Sequence, residues 1–345
     1  MKPARNNSKS KLMWVVLIAG LIAFVLYMIF YIDLSEVASI LTKTNLTVYA
    51  GAFVAYLLYT CCSAMVWHRL LDNLSAKITK SKAFLYTWVG LFFDATVPQL
   101  GWSGEVSKTY LLAKDSKIET GKIGASVVGQ KIISMTLTVV ALSTGLLLIL
   151  FKYSFPIEST LLICLILFLS ILTLFVVYYV SIKPSATKKI VNLVIKIIKF
   201  FRKRWSEQEL ITKADEGLNS FHSDIDKLKS NPKGLIQPII FAICGFIFEV
   251  SVVFLSFAAL GQPLPVDVVL IVFTLTGTLQ TVGVAFFGFP ELIMSMTFMA
   301  LYIDPSIAIS VTLLTRAVNL WFRLVVSYTA LQLAGIKIIK QNKDR

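Results

Sequence analysis

Residues Val97–Lys114 read VPQLGWSGEVSKTYLLAK, and here a proline, two glycines and a glutamate interrupt a chain whose neighbouring stretches are mostly apolar. Pro98 fits a helix end, because the residue before a proline is pushed out of the helical region. Gly101 and Gly104 permit a tight turn. One helix is therefore expected to stop near 96 and another to start near 104, with Glu105 at the break.

The surroundings make that glutamate unusual. The 345 residues are 57% hydrophobic and 15% charged, with a mean hydropathy of +0.77. Soluble domains carry roughly 25% charge. Several apolar runs reach the ~20 residues needed to cross a bilayer, and the short alternating segments of a membrane barrel are absent. The fold class is an all-α polytopic membrane protein. The net charge of +14 comes from 33 basic against 19 acidic residues. The basic residues flank hydrophobic runs, which fits the positive-inside rule and anionic headgroups and not nucleic acid. Cys61, Cys62, Cys164 and Cys244 all lie in apolar runs without a metal-ligand spacing. They read as small apolar filler, and neither a metal nor another cofactor is expected.

The first run, 13–32, is too long for a signal core and lacks a small-residue cleavage site, so it reads as a retained helix. Further spans are expected at 46–66, 123–151, 159–182, 236–260 and 306–334. Two half-length limbs, 83–96 and 104–114, flank the first break. A second broken region covers 268–302, interrupted by GFPE at 288–291. Lysine and arginine then assign the sides. The N-terminus, the 67–82 loop, the stretch after the first break, the start of the middle segment and the tail are basic, whereas 261–267 and 303–305 have no basic residue. All the basic loops are cytoplasmic only if 83–114 enters and leaves on that side, and 268–302 then enters and leaves from the other. The expected layout is about six full spans plus two re-entrant helical hairpins, in an integral cell membrane, with both termini cytoplasmic. Whether 268–287 crosses alone stays open.

Three regions follow: an N-terminal membrane half 1–182, an insert 183–234 and a C-terminal membrane half 235–345. In the insert, Ile190, Val194, Ile197, Phe201 and Trp205 share one helical face with lysines opposite, as in a helix lying among headgroups. SEQE at 206–209 matches a capping box. Ile211, Ala214, Leu218, Phe221, Ile225 and Leu228 then form a second stripe. The expectation is a cytoplasmic helical hairpin packed on the membrane region, with a partner-binding coiled coil as the alternative. Asp215, Asp224, Asp226 and His222 read as a solvated face and not as a catalytic set.

The two hairpins suggest an internal repeat. Glu105 precedes Lys131 by 26 residues, and Glu291 precedes Arg316 by 25. Each glutamate follows a glycine-containing break and each cation sits early in the next span. Opposite access sides make this an inverted-topology repeat, an arrangement common among transporters. A lone charge in hydrocarbon costs roughly 2.5–3.5 kcal/mol on insertion scales. That cost falls if Glu105 meets Lys131 and Glu291 meets Arg316 around one polar cavity near the midplane, or if the pairs cross between units. Arg316, Asn319 and Arg323 share a face, and guanidinium groups suit a phosphate through paired N–H donors. Glu249 and Asp94 are candidates for coupling to protons. The alternative for both pairs is purely structural, locking the hairpins in place, and Arg323 alternatively snorkels to the headgroups.

The order PQLGWSGEVSK, ASVVGQK and GFPE…TLLTR resembles the lysylphosphatidylglycerol synthase transmembrane region, or flippase-like UPF0104, family over roughly residues 13–335. The family's first motif resembles P-x-x-G-E-x-x-R; here Lys108 takes the basic position, and Gln130–Lys131 stands where Glu–Arg is usual. The resemblance implies Glu105, Lys108, Lys131, Glu291 and Arg316 as substrate-binding residues, joined by Asn319 and Arg323 from the polar face. It implies translocation of an aminoacylated or other phosphate-bearing lipid, polyprenyl-linked lipids included, without the soluble domain that makes such a lipid, and therefore no enzyme. Membrane lipids are the expected partners, with a lipid-synthesising enzyme as a further one. A proton-coupled small-solute transporter and an accessory membrane anchor are the alternatives.

Overall fold

Apolar side chains without a strand-like alternation leave the backbone only the helix as a way to satisfy its own N–H and C=O groups in lipid. The computed structural model describes residues 34–96, 102–116, 118–152, 157–201, 207–262, 264–281 and 288–343, and among them every regular element is helical. The expected first span at 13–32 lies outside the described residues, as do the break at 97–101 and Ser206 of the capping box.

A short helix α1 (Leu34–Thr42) occupies a stretch expected to be a loop. Val37 and Leu41 form its buried face against Ile309, and Glu36 accepts a hydrogen bond from Ser306 (2.6 Å). Helix α2 (Leu46–Asn73) is capped by Asn45, whose side chain accepts from the Thr47 and Val48 amides. Helices α3 (Lys80–Thr96) and α4 (Ser103–Asp115) form the first hairpin. Helix α5 (Thr120–Lys152) and helix α6 (Ile157–Ile182) follow. The insert is α7 (Pro184–Phe201) and α8 (Glu207–Ser230). Helix α9 (Pro232–Ala259) leads to the second hairpin, α10 (Val266–Thr281) and α11 (Phe289–Ala300). The last span is α12 (Pro305–Arg316), a π-helical stretch Ala317–Phe322, and α13 (Arg323–Lys343). Among the described residues, five stretches are long and apolar enough to cross a membrane, Leu46–Asn73, Thr120–Lys152, Ile163–Ile182, Pro232–Ala259 and Pro305–Gly335.

The two halves match element by element. Helices α2 and α9 have 28 residues each, the first limbs 17 and 16, the second limbs 13 and 12. Helices α2 and α9 pack along their whole length and run antiparallel. The Asn45 amide donates to the Ala259 carbonyl (2.7 Å) at one end, and Asn73 donates to the Gly234 carbonyl (2.7 Å) at the other. The first hairpin follows the α2 C-terminus and the second follows the α9 C-terminus, so they start from opposite ends of this pair. Each first limb packs on the other half's long helix: α3 on α13 and α10 on α5. Two apolar cores result. One joins Trp67, Tyr86, Trp88 and Leu112 to Val318 and Ala330; the other joins Leu142 and Ile163 to Val269, Val272 and Phe298.

Both hairpins bring their ends together. Lys82, early in α3, pairs with the fully buried side chain of Asp115 at the end of α4 (2.8 Å). Phe298 near the end of α11 packs edge-on against Phe257, in the helix that leads into α10 (4.9 Å between centroids). In the insert, Ile225 and Leu228 of the predicted stripe pack with Val66, Leu70 and Ala125 of α2 and α5. Asp224 is buried, contrary to the solvated face expected of it, and pairs with Lys227 (2.7 Å). Asp215 pairs with Lys188 of α7 (3.0 Å).

The limbs of the first hairpin cross at glycine. A Cβ on Gly104 would lie 2.4 Å from Asp94 Oδ2 and 2.5 Å from the Gly90 carbonyl oxygen. Gly104→Ala is expected to lower thermal stability in detergent by about 1–3 kcal/mol, the usual cost of overpacking. Gly124→Ala, where a Cβ meets only Phe221 at 3.8 Å, is the control and is expected to be neutral or stabilising.

Candidate functional site

The second limb of each hairpin begins in the same way. Helix α4 opens Ser103–Gly104–Glu105 after Trp102, and α11 opens Phe289–Pro290–Glu291 after Gly288. Both glutamates are thus the third residue of their helix, where a carboxylate meets unpaired amides and the positive end of the helix dipole. Gly288 has a φ of +91°, which an L side chain rarely adopts, and its amide donates to Glu291 Oε2 (2.9 Å). Glu291 Oε1 then accepts from Arg316 Nε (2.6 Å). In the first half Glu105 Oε1 accepts from Lys131 Nζ at 3.5 Å, and Lys131 also sits over the Trp102 ring (5.3 Å). Lys131 and Arg316 each lie eleven residues past the start of their helix, Thr120 and Pro305. The pairs form within each half and not crosswise.

Asp94 acts as a cap from the neighbouring limb. Its Oδ1 accepts from the Gly104 amide (2.7 Å) and from the Ser103 hydroxyl (3.0 Å), closing the N-terminus of α4. Lys108 is buried and turned inward. It donates to Gln130 Oε1 (2.8 Å) and lies over the Trp67 ring (5.0 Å), while Gln130 donates to the carbonyl and hydroxyl of Ser63.

The remaining candidates converge. Arg316, Asn319, Arg323 and Glu249 line one cavity of about 110 Å³ with Tyr56, Tyr59, Thr276 and Thr315. Glu249 and Arg323 line this same cavity. The π-helical stretch, a feature often found at functional sites, lies between Arg316 and Arg323 and contains Asn319. Glu249 and Tyr59 also wall a second cavity of about 110 Å³, which contains Gln130, Ser134 and Thr138. Ser134 and Thr138 wall a third of the same size, bounded by Lys131 and Thr278. One shared chamber was expected; among the described residues three small cavities share walls in a row, Lys131 at one end and Arg316 at the other. Tyr59 of α2 and Glu249 of α9 lie in the wall shared by two of them.

The sequence profile described as "Lysylphosphatidylglycerol synthase TM region" matches residues 14–327. The chain belongs to this family. Similar proteins include a UPF0104 membrane protein of Methanocaldococcus jannaschii, 26% identical over 334 residues, 93% of this chain and 94% of that one. Others are a UPF0104 membrane protein of Pyrococcus horikoshii (19% over 339 residues, 96% and 97%) and one of Methanothermobacter thermautotrophicus (21% over 337 residues, 96% and 98%). This member of the lysylphosphatidylglycerol synthase TM region family is therefore an integral membrane protein, its apolar helices agreeing with the match.

Tyr56, Tyr59, Thr276 and Thr315 were not singled out in the sequence. Their one signal is a polar group inside an apolar run, which many buried tyrosines and threonines share without a functional role. For the Glu291–Arg316 pair, each single change, Glu291→Gln or Arg316→Gln, leaves the partner charge buried and is expected to cost about 3 kcal/mol. The double change is expected to cost clearly less than the sum in thermal unfolding of the purified protein. Strict additivity would mean the pair contributes nothing as a pair.

Proposed function

We propose that the protein moves a phosphate-bearing lipid between membrane leaflets, the headgroup passing along the row of cavities while the tails stay in the bilayer. The observation that supports this most is the cavity at Arg316, Arg323 and Asn319. Around it Arg323 Nε, Asn319 Oδ1, Thr315 Oγ1 and Thr276 Oγ1 are buried without a partner among the described residues. An unsatisfied buried polar group costs roughly 1–3 kcal/mol, so four together suit a site that a polar ligand or water fills. Guanidinium donors match phosphate oxygens. The cavity has room for several waters or one phosphate-sized group.

In this reading both hairpins are re-entrant. Limbs of 12 to 17 residues measure about 18–26 Å at 1.5 Å per residue, short of the ~30 Å hydrocarbon core. The membrane halves are 1–182 and 235–345, joined by the insert 183–234, and both termini are cytoplasmic in a cell membrane. Glu105, Lys131, Glu291, Arg316, Asn319 and Arg323 bind the cargo. Lys108 and Asp94 hold the first hairpin in shape, and Glu249 exchanges a proton or a counter-charge with Arg323. Membrane lipids are the partners, and the protein acts as a carrier and not an enzyme. A proton-coupled transporter of small solutes is the second reading, favoured by the size of the three cavities, each about 110 Å³.

The test is lipid movement in vesicles carrying fluorescent phosphatidylglycerol, read by quenching from outside. The wild type is expected to expose inner-leaflet probe, with Arg316→Gln and Glu105→Gln slowing this by about ten-fold or more, the worth of one charge-assisted contact. Purified protein that moves no lipid, with both variants silent in cells, would overturn the proposal.

A further inference from the structure

A further cavity lies away from the charged row. It measures about 970 Å³ and runs between α4, α5, α6 and the insert, from Trp102 at the hairpin tip to Thr187 and Ala214. Its walls are Val106, Val128, Val177, Val180, Ile190 and Phe221, with Gly121, Gly124 and Gly217 giving a smooth floor. Three of the four hydroxyls in the wall are engaged by the chain's own backbone. Thr109 donates to the Glu105 carbonyl, Ser181 to that of Val177 and Thr187 to that of Val180. Such a wall offers little to water or to a headgroup and suits hydrocarbon. Its lining residues run from 102 to 109 on α4 and from 120 to 128 on α5, about 10–12 Å at 1.5 Å per residue, so the groove has room for part of one acyl chain.

Two further observations identify the occupant. The groove is flanked by surfaces that face lipid: Val106 and Tyr110 on α4, and Phe168 and Phe175 on α6, are all more than 60% exposed. At its insert end Lys183 and Lys189 are exposed at the start of α7, beside Lys188, which pairs with Asp215, a basic cluster that attracts anionic headgroups.

We infer that this groove binds one hydrocarbon tail of an anionic phospholipid, its headgroup beside the α7 lysines and its chain end near Trp102. The insert is then the wall that holds a lipid next to the Lys131–Glu105 end of the cavity row. This deepens the proposed function and rests on it, but binding and transport are separable by experiment. In nanodiscs containing phosphatidylglycerol with a diazirine near the chain end, cross-links are expected on the α4 and α5 residues of the groove nearest Trp102. Gly217, whose Cβ would meet nothing within 4 Å, is the blocking position. Gly217→Phe is expected to cut these cross-links about ten-fold, the worth of roughly two buried methylenes, while Gly217→Ala keeps them. Cross-links spread evenly over the outer face of α6, unchanged in Gly217→Phe, would overturn the inference by showing annular lipid only. A zwitterionic probe that labels the groove equally well would overturn its headgroup part. Groove labelling without lipid movement in vesicles upholds the tail site and removes the translocase reading. Lipid movement without groove labelling does the reverse.

Discussion

A cation placed among apolar helices needs an anion within reach, and in this protein the anion comes from a helix that starts where the cation lies. Glu291 serves two partners with its two oxygens, the Gly288 amide and the Arg316 guanidinium. The bend in the chain and the neutralised charge are thus one device. Without the glutamate, both the start of α11 and Arg316 lose their partner. The turn itself depends on Gly288, because the positive φ there suits a residue without Cβ.

The same device occurs twice but unequally. In the second half the contact is short, at 2.6 Å, and the carboxylate is fully engaged. In the first half the contact is 3.5 Å, Lys131 is also held by the Trp102 ring, and Glu105 Oε2 is buried without a partner among the described residues. The extra work of closing the first hairpin falls to Asp94, which caps α4 from the opposite limb. A tight pair resists rearrangement, and a loose one costs less to open. The asymmetry therefore places the more easily disturbed contact at the Lys131 end of the row, next to the large apolar groove. Between the ends stands the antiparallel α2/α9 pair, with Tyr59 and Glu249 in the walls of two successive cavities.

Much of this was legible in the sequence. The all-helical membrane class follows from composition and run length. The matched intervals from Glu105 to Lys131 and from Glu291 to Arg316 point to two equivalent hairpins, because a charge in an apolar run needs a partner. The stripe Ile225–Leu228 foretold the packing of α8. Other features depend on which helix lies opposite, which periodicity along one helix does not encode. The resemblance implies Lys108 as a ligand, and Gln130 and Trp67 draw it inward. Asp94 reads as a proton site, yet it lies opposite the Gly104 amide across a turn. The π-helical stretch leaves no mark in an apolar run, and α1 is too short, at nine residues, for a firm periodicity.

The central claim is that the hairpins fold back on themselves and start from opposite faces of the membrane. Single cysteines at Lys80, Ile118, Leu264 and Ile303, in a chain whose four native cysteines are replaced, test it with impermeant reagents on vesicles of both orientations. The account predicts that positions 80 and 118 are labelled from one face only, and positions 264 and 303 from the other only. Labelling of 80 and 118 from opposite faces would contradict it.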